Sequence, residues 1–312
     1  MISAEGRARS SWRDWFIYIV LAFLVVFFTI LRPSFFSLAN FGNVARQVSM
    51  VAIMAFGMTF VITTANIDLS VGSVVSLVSV MSAFALSWGF GLIGSSLVGI
   101  AVGVLISFIT GIIVTKAKIP SFLVTLGMLG IARGTALTIT GTKAVNIYDA
   151  VFKSFWGAGA ITFIPTALIW VIIALLISVL LYKYTIFGNH VKATGGNITA
   201  AQFSGINTDF VIVRSFVVLG ACTAIAGLMM TSRIGEGRPD IASGMELDVI
   251  AAVILGGTSL FGGKGSIVTT FVGALIMTVI TNGLIILGVG YSVQLIIKGV
   301  IIVAAVSLAE KK

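Results

Sequence analysis

"FVIVRSFVVLGACTAIAGLMMT", Phe210–Thr231, is an apolar run with a single charge, Arg214. A helix rises 1.5 Å per residue, so this stretch is long enough to cross a hydrocarbon core of about 30 Å. Within lipid, a lone segment satisfies its own backbone only as a helix. The stretch just before it, "KATGGNITAAQFSGINTD" (Lys192–Asp209), is polar and Gly-rich and can neither span a bilayer nor build a core. The fold is decided by how often the first pattern recurs. Further runs of about spanning length are Trp15–Leu31, Val44–Ala65, Val71–Trp88, Leu92–Thr115, Ser121–Thr140 and Phe163–Tyr182. After Phe210–Thr231 come a short Leu247–Leu260, then Ile267–Leu287 and Val293–Leu308. About ten segments make this an all-α, polytopic transmembrane helical bundle, one transmembrane domain over 1–312 with a polar loop at 192–209.

Composition agrees. The chain is 58% hydrophobic and 9% charged, whereas soluble domains carry about 25% charged residues. The formal charge of +9 comes from residues scattered over short loops, with no basic stripe, so nucleic acid is not an expected partner. Membrane lipid is. The single cysteine, Cys222, lies in an apolar run and reads as packing, which excludes disulfides and Cys-based metal sites. His190 is the only histidine and reads as a solvated loop residue; no metal site and no catalytic constellation is expected. The basic start (Arg7, Arg9, Arg13) precedes a run too long for a signal peptide, so a retained first helix is expected.

Orientation follows from Lys and Arg in short loops. With the N-terminus inside and ten crossings, eleven of the nineteen basic residues fall inside and six outside. This favours N-in, C-in and puts Lys192–Asp209 in the cytoplasm. Two junctions echo each other: "NIDLSVGS" (Asn66–Ser73) and "MELDVIAA" (Met245–Ala252) each place an acidic–Leu pair before a small-residue helix. On the count above one faces in and the other out, as an inverted repeat requires; chance similarity of so short a match is an equal alternative.

In the polar loop, Gly195-Gly196 are expected to break what precedes them and Asn197 to cap a new helix. Ile198–Ser204 gives about two turns, which Gly205 ends. At helical spacing Ala200, Ala201, Ser204 and Gly205 share a face almost without bulk. Two turns are not stable alone, so the segment rests on something: its own helices, or a cleft in a cytoplasmic partner. Geometry leaves both open.

Four stretches, in order, resemble the permease subunits of the bacterial ribose and related-sugar ATP-binding cassette import family. They are "NIDLSVGS", "IPSFLVTLGMLGIARG" (Ile119–Gly134), the polar loop, and "ELDVIAAVILGGTSLFGGKGS" (Glu246–Ser266). Asn66 departs from the family's usual Gly. The resemblance implies a sugar-importing permease in the bacterial inner membrane. Its expected partners are cytoplasmic ATPase subunits, a periplasmic sugar-binding protein and a second permease subunit, either a copy or a homologue. It also implies that Gly196, Asn197, Ala200, Ala201, Ser204 and Gly205 enter the ATPase cleft. "GGKGS" has no leading Gly at Walker A spacing and no hydroxyl directly after Lys264, so ATP and Mg are expected on the partners and no cofactor on this chain.

Polar groups at membrane depth mark candidate pathway residues. Asp68 and Ser70 either cap a helix or sit at a broken helix where, with Asn66, they meet sugar hydroxyls. Phe122 and Asn282 join this set, although Asn282, like Gln294 and Lys298, has the bland alternative of binding across helices. Arg133 reads as ion-paired or snorkelling. On the outer face, Arg46, Arg233 and Arg238 either pair with nearby carboxylates or steer an acidic binding protein. A stand-alone secondary transporter for a small polar solute is the competing function, weakened by the shortage of intramembrane carboxylates.

Overall fold

The computed structural model describes residues 4–161 and 164–310. Phe163, Lys311 and Lys312, used above to set a boundary and an orientation, lie outside them. The chain is a bundle of helices: α1 (Ala4–Leu31), α2 (Leu38–Thr63), α3 (Val71–Ser87), α4 (Gly91–Lys116), α5 (Ser121–Thr140), a single turn α6 (Ala150–Lys153) and α7 (Thr166–Tyr184). Then come α8 (Ile186–Gly196), α9 (Ile198–Phe203), α10 (Thr208–Ile234), α11 (Met245–Leu255), α12 (Ile267–Ile286) and α13 (Tyr291–Glu310). Six of these are long and apolar enough to cross a membrane: α2, α4, α5, α7, α10 and α12. Shorter apolar helices lie at Ile17–Leu31, Val71–Ser87 and Tyr291–Ala304. Four two-residue strands, β1 (Val145–Asn146), β2 (Ala160–Ile161), β3 (Ile164–Pro165) and β4 (Glu236–Gly237), form two small antiparallel pairs, β1 with β4 and β2 with β3.

The core is α2 and α10, which cross with α3 and α4 against them. Small residues set the distance. A Cβ on Gly57 of α2 would lie 2.7 Å from Leu219 Cα of α10. Gly103 of α4 would place one 2.8 Å from Ala224 Cβ, and Gly220 of α10 one 2.6 Å from Gly103 O. The Gly-rich run of α4 is therefore bundle construction, since backbones without side-chain bulk approach closely in lipid. Trp88–Gly91 makes the tight turn that its glycines predict, with φ +83° at Gly89 and +61° at Gly91.

Three elements differ from the sequence reading. Residue 190 is helical and half-buried in α8, not in a loop. The eighth segment ends at Leu255, and Gly256–Ser266 is irregular. The third difference concerns the two acidic junctions, expected on opposite faces. The start of α3 lies inside the bundle, with Asp68, Ser70 and Val71 each 1% exposed, and the two junctions meet there. A Cβ on Gly72 would lie 2.5 Å from Glu246 Oε2 and 2.6 Å from Ala242 O.

Candidate coupling and transport sites

Three side-chain caps in a row shape the polar loop. Gly188 N–H donates to Thr185 Oγ1 at 3.2 Å, opening α8. Ala200 N–H donates to Asn197 Oδ1 at 2.9 Å, opening α9. Phe210 N–H donates to Asn207 Oδ1 at 3.1 Å in the first turn of α10. Each satisfies a backbone donor that a helix start leaves free. Gly205 adopts φ +83° just after α9, the left-handed turn that glycine allows. Gln202 Nε2 donates to Thr208 Oγ1 at 2.9 Å and ties α9 to α10. Gly195 and Gly196 do not break α8; the break falls one residue later, at Asn197, whose backbone is extended.

What the segment rests on is the end of α2. Gly195 packs so closely there that a Cβ would lie 1.7 Å from Thr63 O and 2.8 Å from Gly263 N. Gly263 N–H donates to that same Thr63 carbonyl at 2.9 Å. A Cβ on Gly262 would lie 2.6 Å from Gly195 O. "GGKGS" is thus the seat of the α8–α9 element, built where three backbones converge without side chains between them. The sequence reading missed this, because Gly195, Thr63 and Gly263 are far apart along the chain.

The expected coupling residues divide. Gly196, Asn197, Ala200, Ser204 and Gly205 are exposed, whereas Ala201 is 4% exposed and turned toward the bundle. The most projecting side chain is one that the sequence reading passed over: Phe203, 89% exposed, with Ile198 also exposed. Its signal was an aromatic standing alone in a polar stretch.

The expected pathway residues divide as well. Asn66 and Phe122 line one cavity of about 710 Å³, bounded also by Lys118, Gly196, Asn197 and Gln202. Asp68 and Ser70 are each 1% exposed. The Ser70 N–H and hydroxyl both donate to Asp68 Oδ1, at 2.7 and 2.6 Å, so the carboxylate braces the turn that opens α3. Asn282 is remote from all four. It accepts from Asn40 Nδ2 at 3.0 Å, in the first turn of α2, while Asn66 follows the other end of that helix. The helix has 26 residues, so about 39 Å separates its ends.

At the end of α10 opposite Asn207, β1 and β4 hold the 143–146 and 236–240 loops together. Arg238 pairs with Asp240 at 3.2 Å, both exposed. The hydrogen bond from Arg238 is the main reason the Asp240 carboxyl sits below its ordinary range. Arg233 is exposed, and half-buried Arg46 lies near enough to repel it. Arg133 donates through Nη1 to Ser243 Oγ. Lys298 Nζ donates across helices to Asp248 Oδ2 at 2.7 Å, with both side chains almost wholly buried. Gln294 Nε2 donates to the Val289 carbonyl at 2.8 Å, ahead of its own helix.

The comparisons with known proteins agree on one class. The family model described as "Branched-chain amino acid transport system / permease component" matches residues 40–306. "Ribose import permease protein RbsC" of Escherichia coli K12 is 37% identical over 298 residues, 94% of this chain and 92% of that protein. "Probable ABC transporter permease protein YphD" of the same strain is 38% identical over 288 residues, 92% of this chain and 86% of that one. "Autoinducer 2 import system permease protein LsrC" of Yersinia pseudotuberculosis serotype IB is 36% identical over 271 residues, 86% and 77%. No solved structure matches. With a family match and relatives that both run along nearly the whole chain, this protein belongs to that permease family and is a multi-pass membrane transport subunit, not an enzyme.

Proposed function

We propose that this chain is the sugar-translocating permease subunit of an ATP-binding cassette importer in a bacterial inner membrane. The observation that carries the reading is α9: a capped helix of six residues, seated on backbone at one end of the bundle and presenting Phe203 outward. Such a helix has no use for its exposed aromatic unless another surface receives it. The charge count puts that end in the cytoplasm, so the receiver is a separate ATPase, which holds ATP and Mg. Phe203 and Ile198, with the small flank of Ala200 and Ser204, fill its cleft. Closure of the ATPases then moves α8–α9 as a body, and the seat at Thr63 and Gly263 passes that movement to α2.

Names of relatives guide the cargo: they import ribose and autoinducer 2. A neutral, hydroxyl-rich solute delivered by a periplasmic binding protein fits a bundle with few unpaired charges. α5 packs mainly on α3 and α4 and leaves Gly127, Gly130 and Gly134 facing open space, a smooth stripe suited to a second permease subunit. The test is uptake into vesicles carrying the permease, its neighbouring ATPase and the loaded binding protein. Uptake should need internal ATP and survive collapse of the proton gradient. The reverse pattern favours a stand-alone carrier and ends this reading.

A further inference from the structure

A second cavity, of about 350 Å³, opens at the start of α11, inside the range of about 300–1,000 Å³ typical of small-molecule sites. None of the coupling residues lines it. α2, α10, α11, α12 and α13 all contribute to its wall. Two of its lining residues carry a buried oxygen with no hydrogen-bond partner among the described residues: Asp248 Oδ1 and Thr278 Oγ1. The two residues are 8% and 3% exposed. Buried polar atoms of this kind are rare and each calls for an explanation.

The chemistry of the wall narrows the explanation. Asp248 Oδ2 is held by Lys298 Nζ, so the carboxylate has a fixed orientation and its free oxygen stays an acceptor. Lys298 and Asp248 cancel each other's charge, and the other charged lining residue, Arg233, is exposed at the end of α10, so the buried part of the wall carries no net charge. Met230, Met245 and Met277 supply soft apolar surface suited to the C–H face of a ring. We infer that this cavity binds a small neutral polyhydroxylated molecule, one of whose hydroxyls donates to Asp248 Oδ1 while another bonds to Thr278 Oγ1. The site lies within a single permease chain. It rests on the importer reading for its solute class, but not on the coupling element.

The test is labelling, not transport. Full-length protein carrying Thr281→Cys, a cavity-lining position, is prepared with Cys222→Ala and reconstituted in nanodiscs. It is treated with a small water-soluble methanethiosulfonate reagent at rising D-ribose or glycerol concentration. Saturable, several-fold slowing of labelling by D-ribose is expected. A cysteine at Tyr148, 86% exposed in a loop and outside the cavity lining, should show none. Thr278→Val, which keeps the volume and removes the hydroxyl, should weaken protection at least several-fold. Asp248→Asn combined with Lys298→Met, which leaves no unpaired charge at the site, gives a second measure of the same loss. Unchanged labelling at every polyol concentration overturns the inference, as does equal protection in Thr278→Val. If the complete complex imports ribose while labelling stays unprotected, the cavity site fails and the importer reading stands.

Discussion

Of two adjacent glycines, one should be disrupted by an added methyl group and the other should accept it. A Cβ on Gly195 would lie 1.7 Å from the Thr63 carbonyl oxygen. An ordinary carbon–oxygen contact needs about 3.3 Å, so the two backbones must part by roughly 1.6 Å. No flexible side chain is available to yield, because the next obstacle, Gly263 N at 2.8 Å, is backbone too. Parting breaks the 2.9 Å bond from Gly263 N–H to Thr63. A buried backbone group left unpaired costs about 1–3 kcal/mol, and overpacking adds about 1–3 kcal/mol. Gly195→Ala should therefore destabilise the α8–α9 seat by about 2–6 kcal/mol. At Gly196 the nearest atom to an added Cβ is Gly263 Cα at 3.9 Å, ordinary contact. Gly196→Ala should stay within about 0.5 kcal/mol of the parent. Thermal unfolding of the reconstituted protein measures the first effect. ATPase stimulation by loaded binding protein measures the second: Gly195→Ala should lose coupling even where the protein is still folded. If Gly195→Ala matches Gly196→Ala in both assays, α8–α9 is not seated on α2 as described.

Phe203→Ala should abolish stimulation of the ATPase while leaving thermal stability within about 0.5 kcal/mol; Ser204→Trp should do the same by bulk, and intact stimulation in both speaks against α9 as the contact. Ala201→Trp differs, because Ala201 faces the bundle, and it should lower the unfolding temperature itself. Lys298→Met leaves the buried Asp248 carboxylate without its partner and should cost about 3–5 kcal/mol, with Asp248→Asn in the same chain recovering most of it, read by thermal unfolding. Asp240 sits below its ordinary range because of Arg238. Its small contribution is thus present above the unfolded carboxylate pKa and lost only as pH falls through the lower folded value. The pair is exposed, so Asp240→Asn at neutral pH should change stability by no more than about 1 kcal/mol, and less in high salt; a large loss in a thermal shift assay contradicts the solvated geometry.

Where a property depends on neighbours in sequence, it could be read in advance. Apolar runs fix the long helices because length and composition alone decide what crosses a membrane. Asn197 and Gly205 announce α9 because capping and left-handed turns are decided within a few residues. The places where the reading stopped all depend on contacts across the chain. Gly195 looks like a helix breaker when read locally, yet it stays helical because Thr63 and Gly263 leave room for no side chain, whatever its propensity. Ala201 and Ala200 are chemically alike, and only the position of the bundle tells which of them is buried. Asp248 reads as an ordinary acidic residue in the first turn of a helix until α13 brings Lys298 beside it.

The meeting of the two acidic junctions belongs to the same class and bears most directly on function. A charge count assigns each loop to a face and so sends "NIDLSVGS" and "MELDVIAA" to opposite sides. The fold brings their inner ends together, at Gly72 and Glu246. α11 has 11 residues, about 16 Å, too few to span a hydrocarbon core of about 30 Å alone, and α3 starts buried, with Asp68 and Ser70 each 1% exposed. Chain without regular backbone bonding therefore enters the bundle to reach their first turns. Such chain is tolerated at depth only where protein or a water-lined cavity meets its polar groups. Asp68 meets that need for Ser70, while the 240–246 stretch packs against Gly72 and borders the cavity beside Asp248. The two short helices thus start from one interior region, and their acidic residues sit where the positive ends of both helices fall. On the proposed importer function, that region holds buried groups able to replace a polar solute's hydration, so substitutions at Asp68 or Asp248 should change solute preference in an uptake assay more than substitutions at either mouth.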